Sequence, residues 1–268
     1  DSGDYVNAAE DNSAIDLVIV TSGAEDSQTV TATLNSADYT CSVSSNTCTA
    51  SITAAGLQGL TSGTAYTFSV AVSDAAGNAA TANTDESFTY DIIAPTSTTA
   101  VESVSGSGDA NDGDVFTVTL DPSEAVGTPT CTFTDTSGAM DDTSVTYGTV
   151  SSTDHHTAAV TVHDSDANGA IGFSCTYSDI AGNALASAIT AATSGDISID
   201  NTHPTSTSAV LAVGGSGNGN NGDAVTMTLD PSETVGTPTC TFTSGGAAMA
   251  GTVTYSAGSG DNHIASVT

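Results

Sequence analysis

Residues 113 to 134, GDVFTVTLDPSEAVGTPTCTFT, recur at 222 to 243 as GDAVTMTLDPSETVGTPTCTFT. Residues 91 to 101, DIIAPTSTTAV, recur at 200 to 210 as DNTHPTSTSAV. Both pairs share one offset of 109 residues without a gap, so the chain is built from units the size of one small domain. Inside a unit the apolar residues alternate, as in Phe116, Val118 and Leu120, which is the period of a strand with one buried face. Clusters of Gly, Asn, Asp and Ser break these runs about every 8 to 12 residues, the spacing of a β-sandwich. The first 91 residues are a diverged relative, closing with FTYDIIAPT where the second unit closes with ISIDNTHPT. The expected domains are 1–91, 92–200 and 201–268. The last is expected to be incomplete, because TAAVTVHD at 157 to 164 is matched only by IASVT at the end of the chain.

Charge narrows the partners. Across 268 residues there is no lysine and no arginine, against 31 Asp plus Glu, for a formal charge of −31. An ordinary domain is roughly a quarter charged with both signs present, so the imbalance arises from missing bases. Nothing here neutralises a phosphate backbone or an anionic lipid surface, which argues against nucleic-acid binding and a polybasic membrane anchor. No apolar run approaches the roughly 18 residues of a membrane span. The absence of lysine also excludes Lys–Asn isopeptide crosslinks, and trypsin-like proteases find no cleavage site. Such a surface attracts hard cations, Ca²⁺ above all, because they take carboxylate and carbonyl oxygens.

The five cysteines fit no four-ligand zinc spacing and suggest an oxidising, extracellular or cell-surface location. The alternation turns Cys131 and Phe133 inward on one strand and Ile171, Phe173, Cys175 and Tyr177 inward on a later one, so Cys131 and Cys175 are expected to pair within one sheet. The repeat offset sends the partner of Cys240 beyond Thr268. Cys41 and Cys48 flank the turn CSVSSNTC, whose tip is expected at Ser44 and Ser45, and a hairpin disulfide is expected there. The reading is all-β: tandem immunoglobulin-like β-sandwiches, the last one truncated.

Several polar motifs carry two readings each. DSDANGAIGF at 164 to 173 spaces Asp164, Asp166 and Asn168 like the first ligands of a Ca²⁺ loop, with Gly169 at the turn, but Cys175 stands where a closing bidentate acid belongs. The other reading is an Asx-rich turn between strands. GDANDGD at 108 to 114 offers Asp109, Asn111, Asp112 and Asp114. Its counterpart GNGNNGD at 217 to 223 keeps only Asp223, which favours a solvated turn. The histidines His155, His156, His163, His203 and His263 have no ligand spacing. No catalytic triad is legible, no phosphate-cradling loop appears, and no enzymatic activity is expected. No Asn-x-Ser/Thr sequon occurs, while the abundance of Ser and Thr leaves O-glycosylation open.

The stretch DYVNAAEDNSAIDLVIVTSGAEDSQTVTATLNSADYTCSVSSNTCTASITAAGLQGL, continuing through YTFSVAVSDAAGNAA and FTYDIIAPT, resembles the bacterial Ig-like repeats of giant surface adhesins. TLDPSEAV, CTYSDIAGNA and the APT linker resemble a related Ig-like type of large secreted surface proteins. The family pattern has an aromatic residue near Cys48, so the cysteine pair is a departure. The resemblance implies an extracellular extender, stalk, filament or surface-lattice module that associates with further copies or repeats. Adhesin repeats of this kind are rigidified by Ca²⁺ between domains. Asp74, Asp91, Asp179 and Asp200, in or beside the turns SDAAGN and SDIAGN and the Pro-containing linkers, stand at the matching kind of position. Turn geometry alone is the other reading of these residues. A carbohydrate-binding module of a larger secreted protein is the alternative function, although absent Trp and only seven Tyr leave few aromatic platforms.

Overall fold

The computed structural model describes residues 4–81, 86–150, 154–215 and 218–268. The chain divides into two compact units, Asp1–Asn201 and Thr202–Thr268. The fold is all-β and sandwich-like. Among the described residues, no helix is long and apolar enough to cross a membrane.

The first unit holds separate apolar cores. One packs Val6, Leu34, Ile52, Leu57, Leu60, Phe68 and Tyr90, with Val30, Val43 and Cys48 clustered beside it. Its strands form three small sheets: Ile15–Val20 pairs with Thr47–Ile52, Thr29–Leu34 lies between Ala37–Ser42 and Ser69–Ala71, and Ser87–Tyr90 lies between Tyr5–Val6 and Thr64–Thr67. Tyr5–Val6 runs parallel to Ser87–Tyr90, with Val6 opposite Tyr90. Among the described residues, one element departs from the alternation. Ala54–Gln58 forms a single helical turn, capped by Thr53 Oγ1 accepting from Gly56 N at 3.2 Å, and it buries Leu57.

Cys41 and Cys48 are disulfide-bonded, but the turn between them is not centred on Ser44 and Ser45. The tip is Ser45-Asn46, both at positive φ (52° and 64°), closed by reciprocal hydrogen bonds between Ser44 and Thr47. This is the two-residue hairpin geometry for which Asn is suited. Cys41 therefore sits diagonally from Cys48, on a strand of a different sheet, and the bond ties two sheets of the sandwich together.

A second core lies between two facing sheets. Thr146–Thr149, His156–Thr161, Val115–Pro122 and Ser97–Val104 form one in that order, and Thr130–Thr134 with Gly172–Thr176 form the other. Phe116, Val118 and Leu120 are fully buried. Phe116 meets Phe133 edge-to-face at 5.8 Å. Cys131 lies directly opposite Cys175 in the ladder, and the two are bonded. This non-consecutive strand order is that of an immunoglobulin-like sandwich.

In the second unit Ser206–Val213, Val225–Pro231, His263–Val267 and Thr254–Ala257 form one sheet in that order. Its core is small, with Cys240, Phe242, Ala265 and Val267 buried and Cys240 a free thiol. Strand Ser206–Val213 is exposed along its whole length, whereas its counterpart Ser97–Val104 buries Ala100.

A candidate metal centre between two sandwiches

Three elements of the first unit end at one place. Strand Ser87–Tyr90 delivers Asp91, the turn after Val115–Pro122 delivers Glu124, and the loop after Gly172–Thr176 delivers Asp179. One carboxylate oxygen from each lies within 4.8 Å of the others. Asp91 comes from the first core's sandwich, and Glu124 and Asp179 from the second.

Two of the three side chains are held by hydrogen bonds. Asp179 belongs to the loop SDIAGN, which closes on itself: Asp179 Oδ1 accepts from Asn183 N and Oδ2 from Asn183 Nδ2, both at 2.8 Å. Gly182 makes the turn at φ 95°, where a side chain would be strained. Asp91 Oδ1 accepts from Ser62 Oγ and from Ile93 N, both at 3.1 Å. Glu124 has its carboxyl raised above the ordinary Glu value, first by burial and then by the charges of Asp179 and Asp91. In a chain without lysine or arginine no fixed positive charge offsets this cluster.

The sandwiches also meet through hydrogen bonds. Asn183 Nδ2 donates to the Asp91 carbonyl at 2.8 Å, Ala8 N donates to Asn183 Oδ1 at 2.9 Å, and Asn7 Nδ2 donates to the Ala181 carbonyl at 3.0 Å. The turn bearing Asn7 and Ala8 is anchored behind by Asp11, a buried carboxylate that accepts from Tyr90 Oη at 2.8 Å. Burial and that carboxylate push the Tyr90 phenol up to about 12. The acidic cluster is thus set on two bodies already in register. All-oxygen donors of this charge suit a hard cation such as Ca²⁺, which takes six to eight oxygens at about 2.3–2.6 Å.

Of the acids singled out from the sequence, Asp91 and Asp179 enter this cluster, and Asp74 and Asp200 lie elsewhere. Asp74 Oδ1 accepts from Ala76 N and Asn78 N, and Oδ2 from Asn78 Nδ2. The hydrogen bond from the Asn78 side chain is the main cause of its lowered carboxyl pKa. Asp200 Oδ1 accepts from Asn168 Nδ2 at 3.3 Å. In the 164 to 168 loop, buried Asp166 accepts from Asp141 N and His163 N. Asn168 Oδ1 accepts from Asn201 N, and Asp164 N donates to Asp112 Oδ1. The side chains of Asp166, Asn168 and Asp112 thus tie loops together, and Asp164 joins through its main-chain N–H. Asp109 and Asp114 likewise accept from Ser198 N and Asn111 N. Gly217, the first residue of GNGNNGD, lies outside the described residues; Asp223 there accepts from Asn220 N. His155 Nε2 lies 3.0 Å from Asp121 Oδ1.

Sequence reasoning passed over Glu124, Asn183 and Asn7. Glu124 had a signal, since TLDPSE recurs and places Glu233 at the equivalent position. In the second unit Glu233 Oε1 is buried with no hydrogen-bond partner.

No known protein-family profile matches the chain, and no curated protein matches it in sequence. Solved structures that align with the chain include a Ca²⁺-stabilised adhesin that helps an Antarctic bacterium reach out and bind ice, at 20% identity over 84% of this chain and 55% of that one, TM-score 0.44. The chain spans about half the length of that structure. A 1.5-MDa bacterial ice-binding adhesin aligns at 17% identity over 98% of this chain and 82% of its own, TM-score 0.45. The D00-D0 domain of intimin aligns at 14% identity over 74% and 92%, TM-score 0.25.

Proposed function

We propose that this chain is a segment of an extracellular structural or adhesive tandem-repeat protein, whose immunoglobulin-like domains are stiffened by a divalent cation at their junctions. The observation that carries the reading is the convergence of Asp91, Glu124 and Asp179 from two sandwiches on one point, in a chain with no basic residue to neutralise them. Without a cation the three carboxylates repel. With one, they become a bond between domains. The role is mechanical: holding domain spacing in a stalk, filament or surface lattice. Two disulfides suit an oxidising environment, and the uncompensated charge keeps an array of such domains extended.

Thermal unfolding in millimolar Ca²⁺ and then in chelator, at matched ionic strength, tests this. A cation at about 100 times its dissociation constant stabilises by about 2.7 kcal/mol, so the midpoint should fall clearly on chelation. Identical curves would remove the cation from the account.

A further inference from the structure

The loop that closes the junction occurs twice. SDAAGN at 73 to 78 and SDIAGN at 178 to 183 differ only at Ala75 against Ile180. Their internal geometry coincides. Asp74 N donates to the Asn78 carbonyl at 3.0 Å, as Asp179 N does to that of Asn183 at 3.1 Å. Each Asp carboxylate clamps its Asn through backbone N–H and side-chain amide. Gly77 and Gly182 sit at φ 90° and 95°. Their surroundings differ. Ala181 and Asn183 are 1% and 6% exposed, covered by the Asn7 turn and Asp91, while Ala76 and Asn78 are exposed.

The covering turn is repeated too. Asn7 N donates to Glu10 Oε2 at 3.0 Å, Asn111 N to Asp114 Oδ2 at 3.1 Å and Asn220 N to Asp223 Oδ2 at 2.8 Å. The N–H of each acid returns to the carbonyl of its Asn at 3.1, 2.9 and 3.0 Å. Beside the first two turns a closing strand lies in the same parallel register, Val6 opposite Tyr90 and Ala110 opposite Ile199. Asp91 N and Asp200 N then donate to the Val6 and Ala110 carbonyls, both at 2.9 Å. In the first sandwich Thr64 pairs with Tyr90 in antiparallel strands, so Asp91 and the 73 to 78 loop lie at opposite ends of the domain.

We propose that the loop 73 to 78 is a docking site for the closing end of another domain of this same build, one presenting an Asn-x-x-acid turn beside a strand-terminal Asp. The filled joint specifies the bonds. The incoming Asn donates to the Ala76 carbonyl, the next N–H donates to Asn78 Oδ1, and Asn78 Nδ2 donates to the carbonyl of the closing Asp. Glu25, whose Oε2 accepts from Ala75 N at 3.0 Å, lies against this loop as Glu124 lies near the other. With a receiving loop at one end and a turn at the other, such docking propagates head to tail into an open array. The joint rests on neutral hydrogen bonds and does not require the cation proposed above.

The test compares the full chain with a chain in which residues 92–213 are placed ahead of residue 1. This splice sets Val6 as far after Val213 as Ala110 lies after Val104. Both proteins are melted in chelator, so that failure of the cation reading leaves the result intact. Asn78→Ala should lower the midpoint more in the extended chain than in the parent. In the extended chain it should combine with Asn111→Ala of the added copy less than additively, because both remove one joint. An equal penalty in both chains, or simple additivity of the two substitutions, would overturn the proposal.

Discussion

Asn183 Nδ2 donates to the main-chain carbonyl of Asp91 at 2.8 Å, joining residues ninety-two positions apart that belong to different sandwiches. The same amide nitrogen donates to Asp179 Oδ2 at 2.8 Å, so one side chain shapes the loop that supplies a carboxylate and docks it on the strand that supplies another.

Asn183→Ala therefore removes a loop clamp and two bonds across the joint at once. The groups left behind are partly or fully buried, and each such loss costs about 1–3 kcal/mol. Hydrogen exchange at residues 7–8 and 179–183 should accelerate together, while amides of Val115–Pro122 stay protected.

Glu124→Gln separates repulsion from ligation. In chelator the substituted protein should melt above the parent, because one of three crowded charges is gone. In Ca²⁺ the order should reverse, because a carboxylate ligand is lost. Paired melting curves read both signs.

The pH dependence in metal-free buffer follows from shifts of opposite direction. Glu124 and Glu102 are raised chiefly by burial, so the folded state holds their protons more tightly than the unfolded chain, and stability should rise as pH falls from neutral toward the ordinary carboxylate range. Asp135 is lowered to about 2, first by the hydrogen bond from Ala167 N, so its contribution is present above 3.8 and is lost as pH falls through about 2. The midpoint should therefore pass through a maximum between these limits. Glu124→Gln should flatten its neutral side and leave the acid side unchanged.

The two disulfides should differ in worth. Cys131–Cys175 spans 44 residues and Cys41–Cys48 spans 7. In the loop-entropy treatment these correspond to about 4 and about 2 kcal/mol. Cys131→Ser with Cys175→Ser should lower the denaturant midpoint more than Cys41→Ser with Cys48→Ser.

Ile180→Ala makes the filled loop identical to the one at 73 to 78. Ile180 is 52% exposed, so the joint should be unaffected, with the midpoint and the exchange protection at Asn183 unchanged.

The fold was legible where local pattern decides it. The alternation of Phe116, Val118 and Leu120 marks a strand whose three side chains are fully buried. The single helical turn at Ala54–Gln58 was not legible, because five residues hold too little periodicity and include Gly56. The tip of the Cys41–Cys48 turn was misplaced by one residue, since Asn46, with its tolerance of positive φ, decides the register rather than the midpoint between the cysteines. At the junction, Asp91 and Asp179 stood out by their places beside a linker and in a tight turn. Glu124 is marked by the recurrence of TLDPSE, but its meeting with the other two acids is set by the strand topology. Asn7 and Ala8 meet partners some 175 positions away, which nothing in their neighbourhood announces.

The central claim is a cation held between two domains by Asp91, Glu124 and Asp179, and anomalous diffraction from crystals grown in Ca²⁺ tests it most directly. The account predicts a peak about 2.3–2.6 Å from an oxygen of each of the three carboxylates. Ordered crystals in saturating Ca²⁺ with no peak between them, or with the ion held elsewhere and these side chains apart, would contradict it.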